Sequence, residues 1–236
     1  MPSPTRVGTD TEHYVINSGT GSSITFAHTV PSTGQNKTLC VVSMPEDAAF
    51  GDSFTWNGTA MTQVVNQSAP QNYRGRMWAL TNPAVGTFNL VGGGNYTDGS
   101  RYGFVAFTLQ DTVQSEATLI DVTDKAGNAS GTSNAKSITT TVDNDLLIVW
   151  NILSSAASAE TVTDDGSQTR IANHGFGSGA GGFVQMTVSQ LAQASFGAQS
   201  MGYSWDVSSR NDLYVTSIKY LAPSSARSRL TLLGVA

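Results

Sequence analysis

Few side chains in this sequence could do chemistry, and their spacing limits what that chemistry could be. His13, His28 and His174 lie far apart. None sits in the H-E-x-x-H pattern that turns two imidazoles toward zinc from one helix face, and no G-x-S-x-G nucleophile elbow accompanies them. A triad built from distant residues is defined by geometry and not by the presence of a histidine, so the three read as structural. Glycoside hydrolysis needs two carboxyl groups facing each other across a cleft. The glutamates on offer are Glu12, Glu46, Glu116 and Glu160, and with the turn-like aspartates they read as solvated carboxylates. The expectation is a non-enzyme with no catalytic, cofactor-binding or metal-ligating residue and no cofactor.

Four further features have a ligand-binding reading and a structural one. Gly177, Gly179 and Gly182 have G-x-G-x-x-G spacing, but a dinucleotide site needs that run to open a helix. Here it leads into Phe183-Val184-Gln185-Met186-Thr187-Val188, a strand pattern, so it reads as an inter-strand loop. Asp143-Asn144-Asp145 and Asp164-Asp165-Gly166 could offer oxygen ligands to Ca²⁺, yet neither has EF-hand spacing. Asp and Asn between strands also make turns by bonding their own backbone. Trp56, Trp78, Trp150 and Trp205 could stack sugars, but all lie in apolar strand patterns and read as core. Sequons begin at Asn36, Asn57, Asn66, Asn95 and Asn128, in a chain where Ser, Thr and Gly make up roughly a third of the residues.

The elements that must position these residues are strands. Composition is 39% hydrophobic but only 12% charged, about half the usual ~25%, and the Ser/Thr/Gly bias favours strands and turns over helices. Ile24, Phe26 and His28 alternate against Thr25, Ala27 and Thr29, and Leu39 to Met44 is a near-continuous apolar run suited to a sheet centre. Asn57-Gly58 marks a type I′ hairpin. Further strand patterns follow at 61–65, 76–80, 87–91, 102–109, 137–142, 146–153, 168–172, 182–190, 199–205 and 212–221, with no long amphipathic helix. The expected fold is all-β: a single two-sheet antiparallel β-sandwich of about ten strands, jelly-roll-like. Residues 1–20 are expected as an N-terminal arm, 21–223 as the sandwich and 224–236 as a C-terminal tail. The two halves echo each other about 110 residues apart, which also suits two smaller sandwiches side by side. Thr112 to Asn134 reads as a surface excursion. The apolar end Leu230-Thr231-Leu232-Leu233-Gly234-Val235-Ala236 is expected to pair with a sheet edge.

Charge excludes some partners. Twelve Lys+Arg against seventeen Asp+Glu give a net charge of −5, leaving no basic face for nucleic acid and no polybasic signal for a membrane surface. No apolar run approaches the ~20 residues that span a bilayer, and residues 1–30 lack a signal-peptide pattern. Cys40 is the single cysteine, so an intramolecular disulfide is ruled out and stability must come from sheet packing or assembly.

Several segments together resemble a family of β-sandwich domains found in phage virion proteins and large bacterial surface proteins. They are Ser23-Ile24-Thr25-Phe26-Ala27-His28-Thr29-Val30, Trp56-Asn57-Gly58-Thr59-Ala60-Met61-Thr62, Met77-Trp78-Ala79-Leu80-Thr81-Asn82-Pro83-Ala84-Val85-Gly86-Thr87 and the closing Leu213-to-Pro223 strand. The resemblance implies architecture and no active site. With no signal peptide or anchor in the chain, it implies a virion structural component assembled in the host cytoplasm. Such a protein would be a capsid decoration or cement subunit, with the major capsid protein or another virion protein as partner. The resemblance further implies a homo-oligomer, with a trimer the first size to test. The competing expectation is a carbohydrate- or receptor-binding module of a tail fibre or surface protein, using the loops 45–53, 112–134 and 154–167, with a glycan or Ca²⁺ as ligand.

Overall fold

A computed structural model describes residues 3–16, 23–45, 53–71, 73–93, 101–155, 160–177 and 183–221. In the first half the strands are β1 (Thr5–Ile16), β2 (Ile24–Val30), β3 (Thr38–Pro45), β4 (Ser53–Trp56), β5 (Thr59–Ala60), β6 (Thr62–Gln67), β7 (Gly75–Thr81), β8 (Gly86–Gly93) and β9 (Arg101–Gln110). The second half holds one helical turn, α1 (Glu116–Leu119), then β10 (Ile120–Thr140), β11 (Leu146–Ser155), β12 (Val162–Asp164), β13 (Thr169–Phe176), β14 (Phe183–Ala192) and β15 (Gly197–Ile218). Asn57 and Gly58 take positive φ of 47° and 76°, the conformation a type I′ turn demands of both central residues.

These strands form three sheets in which every pairing is antiparallel. The first half makes a five-stranded sheet in the order β1-β9-β3-β7-β6 and a four-stranded sheet in the order β2-β8-β4-β5. The second half makes a six-stranded sheet, β10-β15-β11-β14-β13, with β12 also on β15. The all-β antiparallel sandwich expected from sequence is what the chain forms, with fifteen strands over three sheets among the described residues where about ten in two were expected.

Alternation along the central strands explains the layering. Leu39 and Val41 of β3 point into a core shared with the four-stranded sheet, while Cys40, Val42 and Met44 point into a core shared with the six-stranded sheet. On β11, Ile148, Trp150 and Ile152 enter that same central core, and Leu147, Val149 and Leu153 enter a third one on the far side. The third core is closed by the chain itself. The long β10–β15 ribbon loses register between Asn128 and Ser133. Its distal half then folds back, so that Ile138, Met201, Tyr203 and Trp205 cover the outer face of the sheet to which its proximal half belongs.

The two halves meet at tolerances that only glycine meets. A Cβ at Gly75 would lie 2.4 Å from the Tyr214 ring, and one at Gly103 would lie 2.7 Å from the Met186 sulfur. The Tyr214 ring stacks on Trp150 with centroids 5.7 Å apart, and its hydroxyl donates to the Tyr73 carbonyl. Beside it the buried carboxylate of Asp212 accepts the backbone N–H groups of Gln71 at 2.7 Å and Tyr73 at 2.9 Å. A buried carboxylate is tolerated when hydrogen bonds of this kind meet its oxygens, and here they tie the segment before β7 to β15.

Two segments correct the sequence reading. Within the segment 1–20 expected as an arm, Thr5–Ile16 is an edge strand paired with β9 from Thr5↔Gln110 to Ile16↔Arg101, and residues 1–2 and 17–20 lie outside the described residues. The apolar beat at Tyr14-Val15-Ile16 was its trace in the sequence, and the rest of the strand is polar because one side faces solvent. Residues 112–134 are not an irregular excursion either: they hold α1 and the proximal half of β10, whose residues 127–130 are exposed. The tail 224–236 lies outside the described residues.

Gly75→Ala is expected to destabilise the protein by about 1–3 kcal/mol, the usual cost of overpacking a filled site, read as a lower urea midpoint with unchanged slope. An unchanged midpoint would show that the two halves are not locked at this crossing.

Candidate functional site

The register of β1 creates a concave feature with a convergent set of polar groups. Val7 pairs with Thr108 and Thr11 with Ala106, so three residues, Gly8, Thr9 and Asp10, bulge opposite one. Gly8 takes a φ of 78°, open to glycine at little cost, and the Arg6–Asp10 ion pair at 3.1 Å spans the bulge. Beside it lies a cleft of about 320 Å³ lined by Gly8, Thr9, Thr11, His28, Thr29 and Thr87, among others. The cleft wraps the outer edge of β2, from His28 on the strand's inner face to Thr29 and Thr87 on its outer face.

His28 is held and not poised. Its Nδ1 is 2.9 Å from the Thr11 hydroxyl and its Nε2 is 3.1 Å from the Thr108 hydroxyl, so both ring nitrogens have partners. Burial disfavours its charged form and pushes the pKa down to about 4. On the outer face the Thr29 and Thr87 hydroxyls bond each other at 2.8 Å. With the imidazole neutral at pH 7, the lining offers neutral hydrogen bonds and methyl surface.

The other sequence candidates fall into separate structural roles. His13 stacks on Phe26 at 4.8 Å. His174 stacks on Tyr14 at 4.1 Å and stands 3.8 Å from Glu12, a joint between β1 and β13. The three histidines are not brought together. Glu116 accepts the N–H and the hydroxyl of Thr81, each at 2.7 Å. Glu160 is buried and accepts from the Ser209 hydroxyl and the Val207 N–H, both at 2.9 Å. Glu46 lies outside the described residues.

The aspartate pairs turn out to be fasteners. Asp143 receives the Phe196 N–H at 2.7 Å, Asn144 adopts a φ of 63°, and Asp145 is buried with the Ser217 hydroxyl donating to it. Burial raises the Asp145 pKa to about 6. Asp164 is gripped by the Arg170 guanidinium and the Ser189 hydroxyl, and Arg170 also lies over the Tyr203 ring. Among the described residues no group of three or more His, Cys, Asp or Glu side chains is placed to hold a metal.

All four tryptophans are core. Trp56, Trp78 and Trp150 are fully buried and Trp205 nearly so. The indole N–H of Trp56 donates to the Ala84 carbonyl and that of Trp205 to the Gly131 carbonyl. Gly177 ends β13 with a φ of 104° and Phe183 begins a strand, whereas Gly179 and Gly182 lie outside the described residues. Of the three loops expected to carry a ligand, 46–52 lies outside the described residues, 112–134 is α1 and β10, and 154–167 contains β12.

Sequence reasoning missed the cleft and also Asp212. The cleft arises from a bulge that no local pattern announces. Asp212, by contrast, left a signal, since it and Asn211 are polar positions at the start of an otherwise apolar strand. Compared with known protein families, curated proteins and solved structures, the chain finds no match in any of the three.

Two buried groups in this structure titrate in opposite senses. The folded pKa of His28, about 4, lies below its ordinary 6.5, so its contribution to stability is complete above pH 6.5 and is lost as pH falls toward 4. The folded pKa of Asp145, about 6, lies above its ordinary 3.8, so its contribution is complete below pH 3.8 and is lost as pH rises through 6. Each effect is on the order of 2 kcal/mol. Relative to the parent chain, His28→Gln should shift stability to favour pH 4 over pH 7 and Asp145→Asn should favour pH 7 over pH 4. Urea midpoints across that range test this, and shifts of the same sign in both variants would refute it.

Proposed function

We propose that this chain is a non-enzymatic structural protein of a phage virion, a capsid decoration or cement subunit that binds the major capsid lattice. The observation that carries this reading is the placement of exposed apolar side chains. Among the described residues four large apolar side chains are exposed. Val85, Val142 and Phe196, at 51%, 37% and 67%, sit in the turns after β7, β10 and β14, while Val207, at 55%, lies on β15 beside the bend of the ribbon. All three turns lie at the same end of the molecule. Thr112 bridges to Tyr220 there, Leu221 donates to the Asp111 carbonyl, and the Glu116 carboxylate binds Thr81. Thr141 donates to Asp121 at 2.6 Å through its N–H, which brings the folded-back ribbon to that end as well. The Val142 and Phe196 turns are themselves joined through Asp143.

Large apolar side chains at one end of a weakly charged body suit repeated, modest contacts with a lattice, where strength comes from multivalency. The carboxylates that could have served chemistry are instead used as fasteners: Asp164, Asp212, Glu116 and Glu160 each receive structural hydrogen bonds. The resemblance of the sequence to phage virion sandwiches points the same way. Under this reading the protein acts at the virion after assembly in the host cytoplasm, as a homo-oligomer.

The test mixes purified protein with phage shells that lack it and follows the mixture by light scattering and imaging. The expected outcome is stoichiometric addition to the shell, weakened at least tenfold by Phe196→Asp without a change in melting temperature. Failure to add to any shell, or addition unaffected by Phe196→Asp, would overturn the reading.

A further inference from the structure

The edge strands of the three sheets are not equally protected. β1 carries Arg6, Asp10 and Glu12, and β13 carries Arg170, charges that discourage a further strand from pairing. β6 is overlaid by α1 and β10. β2, Ile-Thr-Phe-Ala-His-Thr-Val, has neither a charged residue nor a proline. Among the described residues it pairs only with β8, so one row of its N–H and C=O groups faces away from the sheet. β1 packs beside β2 through the Thr11–His28 hydrogen bond and the approach of Gly8 to Pro31, and between them the threonine-lined cleft follows this edge.

We propose that the outer edge of β2 is the seat of this chain's own segment Leu230–Ala236, which adds there as a fifth strand antiparallel to β2. This goes beyond the lattice-binding reading and does not depend on it. The exit point supports it. Leu221 is hydrogen-bonded to Asp111, whose own N–H donates to Gln35, four residues beyond the Pro31 that closes the lower end of β2. Residues 222–229 supply a spacer that spans about 26 Å when extended, sufficient to bring residue 230 to the lower end of β2. From there the segment would run upward while β2 runs downward.

Length and composition match as well. β2 has seven residues, and Leu230–Ala236 has seven, all uncharged. Aligned end to end in antiparallel register, Leu230 lies opposite Val30 and Ala236 opposite Ile24, with Leu233 opposite Ala27 at the centre. Strand addition of this kind gains affinity from main-chain hydrogen bonds and specificity from pockets for alternate side chains. The small residues lining the cleft, Gly8, Ala27 and the threonines, leave room for leucine.

Hydrogen exchange on the full chain tests the seat. The β2 amides should exchange at least tenfold faster in a Leu230→Asp/Leu232→Asp double variant, with β3, β9 and β11 unchanged. Equal exchange of β2 in the two proteins would overturn the proposal. The second test pairs Ala27→Cys with Leu233→Cys, where the buried Cys40 does not compete. Oxidation should give a crosslink within one chain, seen on a non-reducing gel as a monomer band of increased mobility that returns to its original position on reduction. No crosslink, or a crosslink found only between two chains, would overturn the assignment to the chain's own segment.

Discussion

Everything else in the structure depends on the contact between the five-stranded and six-stranded sheets. Each sheet is buried on both faces, so neither half could expose its inner sheet without leaving Val42, Met77, Phe107, Ile148, Trp150 and Met186 in water. At roughly 25 cal/mol per Å² of apolar surface, burial on this scale is the dominant favourable contribution to folding. The close approach depends on the absence of a side chain at Gly75 and Gly103. The Asp212 carboxylate then fixes how the halves are aligned by accepting two N–H groups from the opposite half.

Polar residues serve this architecture in a consistent way. Where the ribbon folds back, Asp164 and Arg170 fasten β12 to β13, and Glu160 holds the bend through Val207 and Ser209. Gln185 exchanges hydrogen bonds with the Glu160 backbone and donates to the Asn173 side-chain oxygen. Buried polar groups linked in this manner raise the penalty for any alternative register, because breaking one bond leaves its partner unsatisfied in low dielectric. A chain with only 12% charged residues concentrates several of those charges at its joints.

Most of the strands were legible in the sequence because alternation and turn chemistry are local. Ile24 to Val30 and the Asn57-Gly58 hairpin appear where their patterns place them. What was not legible depends on partners distant in sequence. β10 shows little alternation because its proximal half is half-buried and held by β15 across some ninety positions, so hydrophobic periodicity had nothing to register. β1 was obscured for the same reason, since its apolar contacts lie at one end only. The layer count was hidden too: a strand buried on both faces reads the same whether one sheet or two cover it. Of the candidate cleft, only His28 and the threonines were visible, and they were visible as an alternating strand. The bulge beside them is a property of pairing and has no composition of its own.

The position of β15 has a further consequence for the order in which the molecule is built. This strand lies inside the six-stranded sheet, paired with β10, β11 and β12, yet it is the last strand of the described chain. During synthesis the first half is complete once β9, which lies between β1 and β3, has emerged. The second half must wait, with β10 lacking its partner and one side of β11 unpaired, until residues 197–218 leave the ribosome. Contacts of such long sequence separation are slow to close, and an interior strand that arrives late leaves unpaired edges exposed in the interval. The half that closes last is therefore the half most dependent on dilution or chaperones while it forms.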